Sequence, residues 1–263
     1  MSTLIQNDVG NIRVIQLNHP NSHNPFSEEM ETDIKNAMAE IDKDDSVKAV
    51  ILTGGEGRSF SAGGDFNEVK NLTGGDDVDR WIDRVTDLYA SVLKVEKPTI
   101  AAIDGHAIGM GFQFAMMFDW RIMSHTAAFR MPELKHGIGC SMGSTILSTV
   151  LNYSAMREIV LSCDEIKATD AQKYQLVNEV VDSSTLMQQA LITAEKLANY
   201  PNTSFRGTKR FMVKNLLDVL YKTAEESKQV HRASFSAKAA QQHFANILGS
   251  KYSSAPQTKL SAS

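Results

Sequence analysis

PTIAAIDGHAIGMGFQFAMMFD, residues 98–119, is the stretch that decides the fold of this chain. It joins a short apolar run, 98–103, to a glycine-rich loop from Gly105 to Gly111 that opens a helix. Such a run, short and free of charge, reads as a strand buried on both faces. The helix behind it starts with unsatisfied amides, backed by the positive end of its dipole. The same order occurs one segment earlier. KAVILT, residues 48–53, is a second short apolar strand, and the loop after it carries SFSAGGDF, residues 59–66. Gly63 and Gly64 let that loop turn tightly and approach a ligand closely. Either loop alone is an ordinary glycine-rich connection. The pair, each behind a buried strand, can aim amides at one oxygen as an oxyanion hole. The expected class is therefore α/β, built from stacked strand–strand–helix turns.

Outward from this centre, NIRVIQL (11–17) reads as a strand and NHPNSHNP (18–25) as a turn cluster. Ser27 is placed to cap a helix whose apolar face is Met30, Ile34, Ala37, Met38 and Ile41. A helix is expected from Asp77 to Val95, with Trp81, Val85, Leu88 and Val92 at helical spacing, and strands at 120–124 and 128–131. From Met142 the spacing turns mainly helical: 142–150, 155–162, 169–174 and 184–198. Pro201 breaks the chain. Residues 202–252 read as two helices joined near Leu217, whose apolar positions (Val230, Ala233, Phe244, Ile247, Leu248) must dock on the core or on another subunit. This gives a core over 1–200, a helical region over 201–252 and a small polar tail, 253–263, expected to be mobile.

A chain of 263 residues, 42% hydrophobic, can bury a sizeable core. Its net charge of -4 gives no reason to expect nucleic acid or an anionic membrane as partner. The two cysteines, Cys140 and Cys163, read as free thiols of a reducing compartment. Cys140 lies four residues after His136 but fits no nucleophile pattern. The start, MSTLIQNDVG, lacks the basic and apolar pattern of a secretory signal, and no apolar run reaches the ~18 residues of a membrane span, so a cytoplasmic location is expected. The seven histidines are scattered, with no metal-ligand spacing.

The acids carry the chemistry. Gln113 stands where a second carboxylate would be sought, and FRMPELKHGIG, residues 129–139, supplies one acid, Glu133. Hydrating a double bond conveniently uses two carboxylates, one for water and one for carbon. One carboxylate suits enolate chemistry, in which a single proton or a single water is handled beside a carbonyl. Phe112, Phe114, Met116 and Met117 read as core packing, and the charged run Asp42 to Asp45 as a solvated helix end. Trp81 alone reads as core, and His231 in KQVHRASF as a residue of a helix surface.

Taken together, SFSAGGDF, IDGHAIGMGFQFAMMFD and FRMPELKHGIG resemble the signature of the crotonase (enoyl-CoA hydratase/isomerase) superfamily. The resemblance implies a crotonase-like spiral of strand–strand–helix turns, a C-terminal helical trimerisation region, and homotrimers or hexamers. It implies an acyl-CoA thioester as substrate, with no tightly bound cofactor, whose oxygen is held by the amides of Gly64 and Met110. Met110 replaces the usual glycine, which is harmless if only its N–H is used. Ala62, Gly64, Asp65 and Phe66 fall where the family contacts coenzyme A. The two hydratase carboxylates map onto Gln113 and Glu133, so the first is missing.

Within the superfamily, HNPFS, WIDRV, GMGFQF, MPELKHGIGCS, TKR and HRASF are similar to the carboxymethylproline synthases of carbapenem biosynthesis. That subgroup implies malonyl-CoA and pyrroline-5-carboxylate as substrates. It also implies substrate-binding roles for Gln113, Trp81 and His231, and Glu133 acting on water. His231 would hold the pyrroline carboxylate by a charge-assisted bond. Two other readings compete. A single-carboxylate enoyl-CoA isomerase would shuttle one proton. A non-catalytic crotonase-fold scaffold or RNA-binding protein would do no chemistry, against which the acidic balance and Glu133 argue.

Overall fold

In the computed structural model, residues 2–237, 242, 243, 245 and 246 are described. The Ser27 side chain accepts from the Met30 amide and starts helix α1 (Glu28–Lys43), which buries Met30, Ile34, Ala37, Met38 and Ile41 as the spacing predicts. The large sheet has six strands. β1 (Leu4–Val9) pairs antiparallel with β2 (Ile12–Leu17); β3 (Ala49–Thr53), β4 (Thr99–Ile103), β6 (Trp120–Ser124) and β9 (Glu179–Val181) follow in parallel. A second sheet holds β5 (His106–Ile108), β7 (Ala128–Arg130) and β8 (Glu165–Lys167). Single bridges, Ser61 to Ala107 and Phe26 to Gly64, extend this second layer.

The turns of the spiral follow from this pairing. Each leaves the large sheet, crosses to the second layer and then enters a helix. β2 leads to the Phe26 bridge and α1. β3 leads to the bridges at Ser61 and Gly64, then to α2 (Phe66–Val69) and α3 (Asp76–Leu93). β4 leads to β5 and α4 (Met110–Ala115). Successive turns stack, so the loop before α2 lies against the loop before α4. β3 and β4 are buried on both faces, as their apolar runs predict. Val50, Leu52, Ala101 and Ile103 join the main core. Ile51, Ile100, Ala102 and Ile122 pack instead on Leu186, Ala190 and Ala194 of α8 (Leu186–Ala198). The two smaller clusters of helix between them are α5 (Ser141–Ser148) with α6 (Tyr153–Ser162), and α7 (Ala168–Lys173).

Two expectations change. The C-terminal region does not break near Leu217: α9 (Asn202–Ser236) is one continuous helix. After Gly207 it contains no glycine or proline to end it. Its buried positions Leu220, Thr223, Ala224, Ser227, His231 and Phe235 keep one face on the core at helical spacing. Phe244, Ile247, Leu248 and the tail 253–263 lie outside the described residues. The run Asp42 to Asp45 is also less solvated than expected. The buried Lys97 ammonium donates to the carbonyls of Ile41 and Asp44, at 2.5 Å each, and so sits on the negative end of α1. The Glu96 amide donates to the Asp42 side chain.

Candidate active site

The two glycine-rich loops meet. Ser61 N donates to His106 O at 3.1 Å, and Ile108 N donates to Ser61 O at 2.9 Å, which fixes the two loops side by side. Gly63 has φ +88, and a Cβ there would lie 2.7 Å from Ile108 O and 3.3 Å from Met110 N, so only glycine allows this approach. The preceding turn braces the first loop. Asn24, fully buried with φ 46, donates from its amide to the carbonyls of Gly54 and Ser59, and Ser61 Oγ donates to Asn24 O. Met110 is the first residue of α4, behind Gly109 at φ 54. No hydrogen-bond acceptor among the described residues takes the amide of Gly64 or of Met110. Both residues line one cavity of about 460 Å³.

Glu133 stands in the same cavity, at the start of a 3-10 turn (Glu133–His136) that follows β7. Its Oε1 accepts from Gln113 Nε2 at 2.7 Å. Its Oε2 is buried and has no hydrogen-bond partner among the described residues. Burial raises its pKa to about 7, against the pull of its own backbone amide, the Gln113 amide and the Cys140 thiol. A carboxylate poised there can take a proton from a water near neutral pH. Gly109 and Gly143 make room: a Cβ on Gly109 would meet Glu133 Oε1 at 3.3 Å, and one on Gly143 would meet Gln113 Nε2 at 3.1 Å.

Burial and the charge of Glu133 both push the Cys140 thiol upward, away from thiolate. That removes the chemical basis for a nucleophile at Cys140. His136 is held near 4 by burial, His243 and Arg130, so it is neutral at physiological pH.

Trp81 on α3 and His231 on α9 line the other end of the cavity, their rings in an edge contact with centroids 5.7 Å apart. His231 is buried rather than on a helix surface. Ion pairs between α3 and α9 hold it there: Lys228 Nζ lies 2.8 Å from Asp83 Oδ1, and Arg232 Nε donates to Asp79 Oδ1 at 2.7 Å. His231 Nδ1 is 2.8 Å from Ser227 O. Burial lowers the His231 pKa, opposed by the backbone of Ser227 and Gly139. The expected charge-assisted bond thus meets a ring that burial biases toward neutrality.

Ala62, Gly64 and Phe66 line the cavity as well, with the Phe66 ring on edge to His136 at 5.4 Å. Asp65 does not point into it. Its side chain caps α2, accepting from Asn67 N. The other candidate site residues, Glu133, Gln113, Met110, Gly64, Trp81 and His231 with Ala62 and Phe66, line one cavity. Tyr89 was not singled out. Its hydroxyl, fully buried, donates to Gln113 Oε1 at 3.0 Å. In the sequence Tyr89 lies in the run DLY, residues 87–89, which is similar to the carboxymethylproline synthases as well, but its partner is on another helix. Among the described residues no group of three or more His, Cys, Asp or Glu could hold a metal ion, and no helix is long and apolar enough to cross a membrane.

Comparison with known proteins gives this architecture a family. Residues 7–251 match the family model described as Enoyl-CoA hydratase/isomerase. Carboxymethylproline synthase of Pectobacterium carotovorum subsp. carotovorum is 55% identical over 92% of this chain and 96% of its own length. The structure of ThnE from S. clavuligerus, 32% identical, superposes with a TM-score of 0.76 and covers 86% of this chain and 100% of that one. An enoyl-CoA hydratase/isomerase from Mycobacterium paratuberculosis, 22% identical, has a TM-score of 0.84 over 94% of this chain and 98% of its own, and so attests to the fold alone. The two glycine-rich loops, the spiral and these matches agree: the chain is an enzyme of the enoyl-CoA hydratase/isomerase family, the crotonases.

Proposed function

We propose that the chain is a carboxymethylproline synthase, and the observation that carries this reading is the Gln113–Glu133 pair in place of two acids. Malonyl-CoA binds with its thioester oxygen on the amides of Gly64 and Met110 and with its coenzyme A portion along Ala62, Gly64 and Phe66, the Asp65 side chain being engaged as the cap of α2. Coenzyme A is part of the substrate, and no cofactor stays bound. Loss of CO2 leaves the bonding electrons on the α-carbon as an enolate whose charge rests on that oxygen. One such donor is worth about 3–4 kcal/mol in comparable sites. No base is needed for this step, and an amide at Gln113 adds no repulsion to the malonyl carboxylate.

The enolate carbon then attacks the imine carbon of pyrroline-5-carboxylate, held between Trp81 and His231; the π electrons of the C=N bond pass to the ring nitrogen, which takes a proton from solvent. Its carboxylate binds His231 together with the proton that burial otherwise keeps away. Glu133, ionised, finally takes a proton from water as the water adds to the thioester carbonyl. The same two amides hold the tetrahedral intermediate, and coenzyme A leaves. The 55% identity to the Pectobacterium enzyme supports this substrate pair, and the resemblance of the motifs supports a place in carbapenem biosynthesis. The exposed Phe211 and Met212 of α9 support assembly into trimers or hexamers through the C-terminal helical region.

The test is incubation with malonyl-CoA, with and without pyrroline-5-carboxylate, followed by mass spectrometry. Carboxymethylproline and free coenzyme A are expected. Intact malonyl-CoA and no carboxymethylproline would defeat the reading. One observation favours a second possibility: a buried carboxyl with a pKa of about 7 also suits the single proton shuttle of an enoyl-CoA isomerase. Conversion of 3-enoyl-CoA without malonyl-CoA decarboxylation would establish it instead.

A further inference from the structure

We propose that Tyr89 is a positioning residue: its hydroxyl locks the side-chain amide of Gln113 in the orientation that donates to Glu133. The phenol oxygen lies 3.0 Å from Gln113 Oε1 and 3.5 Å from Met110 O, and only the first is a sound hydrogen-bond length. Tyr89 is buried, and burial and the charges of Glu133 and Glu31 keep it protonated. Its one proton must therefore go to Gln113 Oε1. That leaves Gln113 Nε2 to face Glu133 Oε1 at 2.7 Å. A flipped amide would present Nε2 to the phenol and Oε1 to the carboxyl. The phenol proton would then have no acceptor at hydrogen-bond length in a buried site, which is costly. The flip is also the arrangement that would welcome a protonated Glu133, whose O–H could donate to Oε1. Tyr89 blocks it, and so keeps the acid in the form that activates water.

Other ionisable groups face the same space. Cys140, on the loop into α5, acts directly on the Glu133 carboxyl through its thiol. Arg130, Lys135, His136 and His231 also line the cavity, with the His243 ring against that of His136 at 4.7 Å. None of these contacts the Gln113 amide by a hydrogen bond; its remaining neighbour is Met131 Sδ, 3.6 Å from Nε2. Glu31 on α1 acts on Tyr89 only through its charge.

The role in catalysis rests on the proposed hydrolytic use of Glu133, so the test carries a readout that needs no substrate. Tyr89→Phe, Gln113→Leu and the double variant are compared with the parent, after a thermal melt shows each folded. Two quantities are followed over pH: the rate of carboxymethylproline release, and the titration of the Glu133 carboxyl in the free protein by ¹³C NMR of labelled glutamate, assigned by Glu133→Gln. Tyr89→Phe is expected to move both midpoints upward by about half a pH unit or more. In the Gln113→Leu background it should move neither, because the amide it acts on is gone. A simple packing defect would shift no midpoint. Unmoved midpoints, or an equal shift in both backgrounds, would overturn the proposal. If the parent releases no carboxymethylproline, the functional reading fails while the carboxyl titration still decides the role of Tyr89.

Discussion

Asp119 and Glu133 are both carboxylates held against the core of this protein, and they are treated in opposite ways. Asp119 Oδ2 accepts from Thr99 N at 2.8 Å, from Thr99 Oγ1 at 2.9 Å and from the ammonium of Lys209 at 2.6 Å. Lys209 donates again to Lys97 O, so one buried cluster fastens α9 to the start of β4. Glu133 has one amide on Oε1 and nothing on Oε2 among the described residues. A satisfied acid holds elements together; an under-satisfied acid in a cavity is a strain on the fold kept for chemistry.

Breaking the satisfied cluster should have the largest effect. Lys209→Met leaves Asp119 partly buried without its cation and should cost about 3 kcal/mol in urea unfolding. A loss within the error of such titrations would mean that α9 is held by its apolar face alone.

Glu133→Gln should do the reverse. The folded-state pKa of about 7 stands above the ordinary value of 4.5, so the fold is penalised where Glu133 is charged. That penalty is absent below the unfolded value and grows as pH rises toward and through the folded one. Glu133→Gln should therefore stabilise by about 2–3 kcal/mol at pH ~8 and by almost nothing near pH ~4. Equal melting behaviour of the two proteins at both pH values would contradict the burial argument.

The same shift predicts a rate profile. Release of carboxymethylproline should fall about tenfold per pH unit below a midpoint near the Glu133 value of about 7. A profile flat down to pH ~5 would exclude ionised Glu133 from the slow step. The smallest effect belongs to Thr99→Val, which removes the hydroxyl that donates to Asp119 Oδ2 and accepts from Asp119 N while Lys209 stays, and should cost about 1–2 kcal/mol. A cost matching that of Lys209→Met would show that the hydroxyl, not the ammonium, holds the cluster.

The legible parts of the molecule are those that local physics decides. Ser27 with its apolar face specified α1, and the runs 48–53 and 98–103 announced strands covered on both sides. β1 escaped notice because five of its six side chains are exposed, leaving no alternation to read; it exists by pairing with β2 across the Gly10 turn, at φ +61. β8 and β9, three residues each, are too short to carry a pattern and are held by their partners. In the site, Gly64, Met110, Gln113 and Glu133 were recognisable as members of one constellation. The Tyr89 hydroxyl was not, since its meaning lies in the distance to an amide on another helix. Nor was the downward shift of the His231 pKa, which burial imposes and spacing cannot report.

The claim at the centre is that Glu133 works late, on the thioester, and that the amides of Gly64 and Met110 suffice for the carbon–carbon bond. Mass spectrometry of a Glu133→Ala reaction with malonyl-CoA and pyrroline-5-carboxylate tests it most directly. The account predicts CO2 loss and accumulation of the carboxymethylprolyl-CoA thioester with little free acid. Loss of decarboxylation and of the thioester together, in a variant that remains folded, would contradict it.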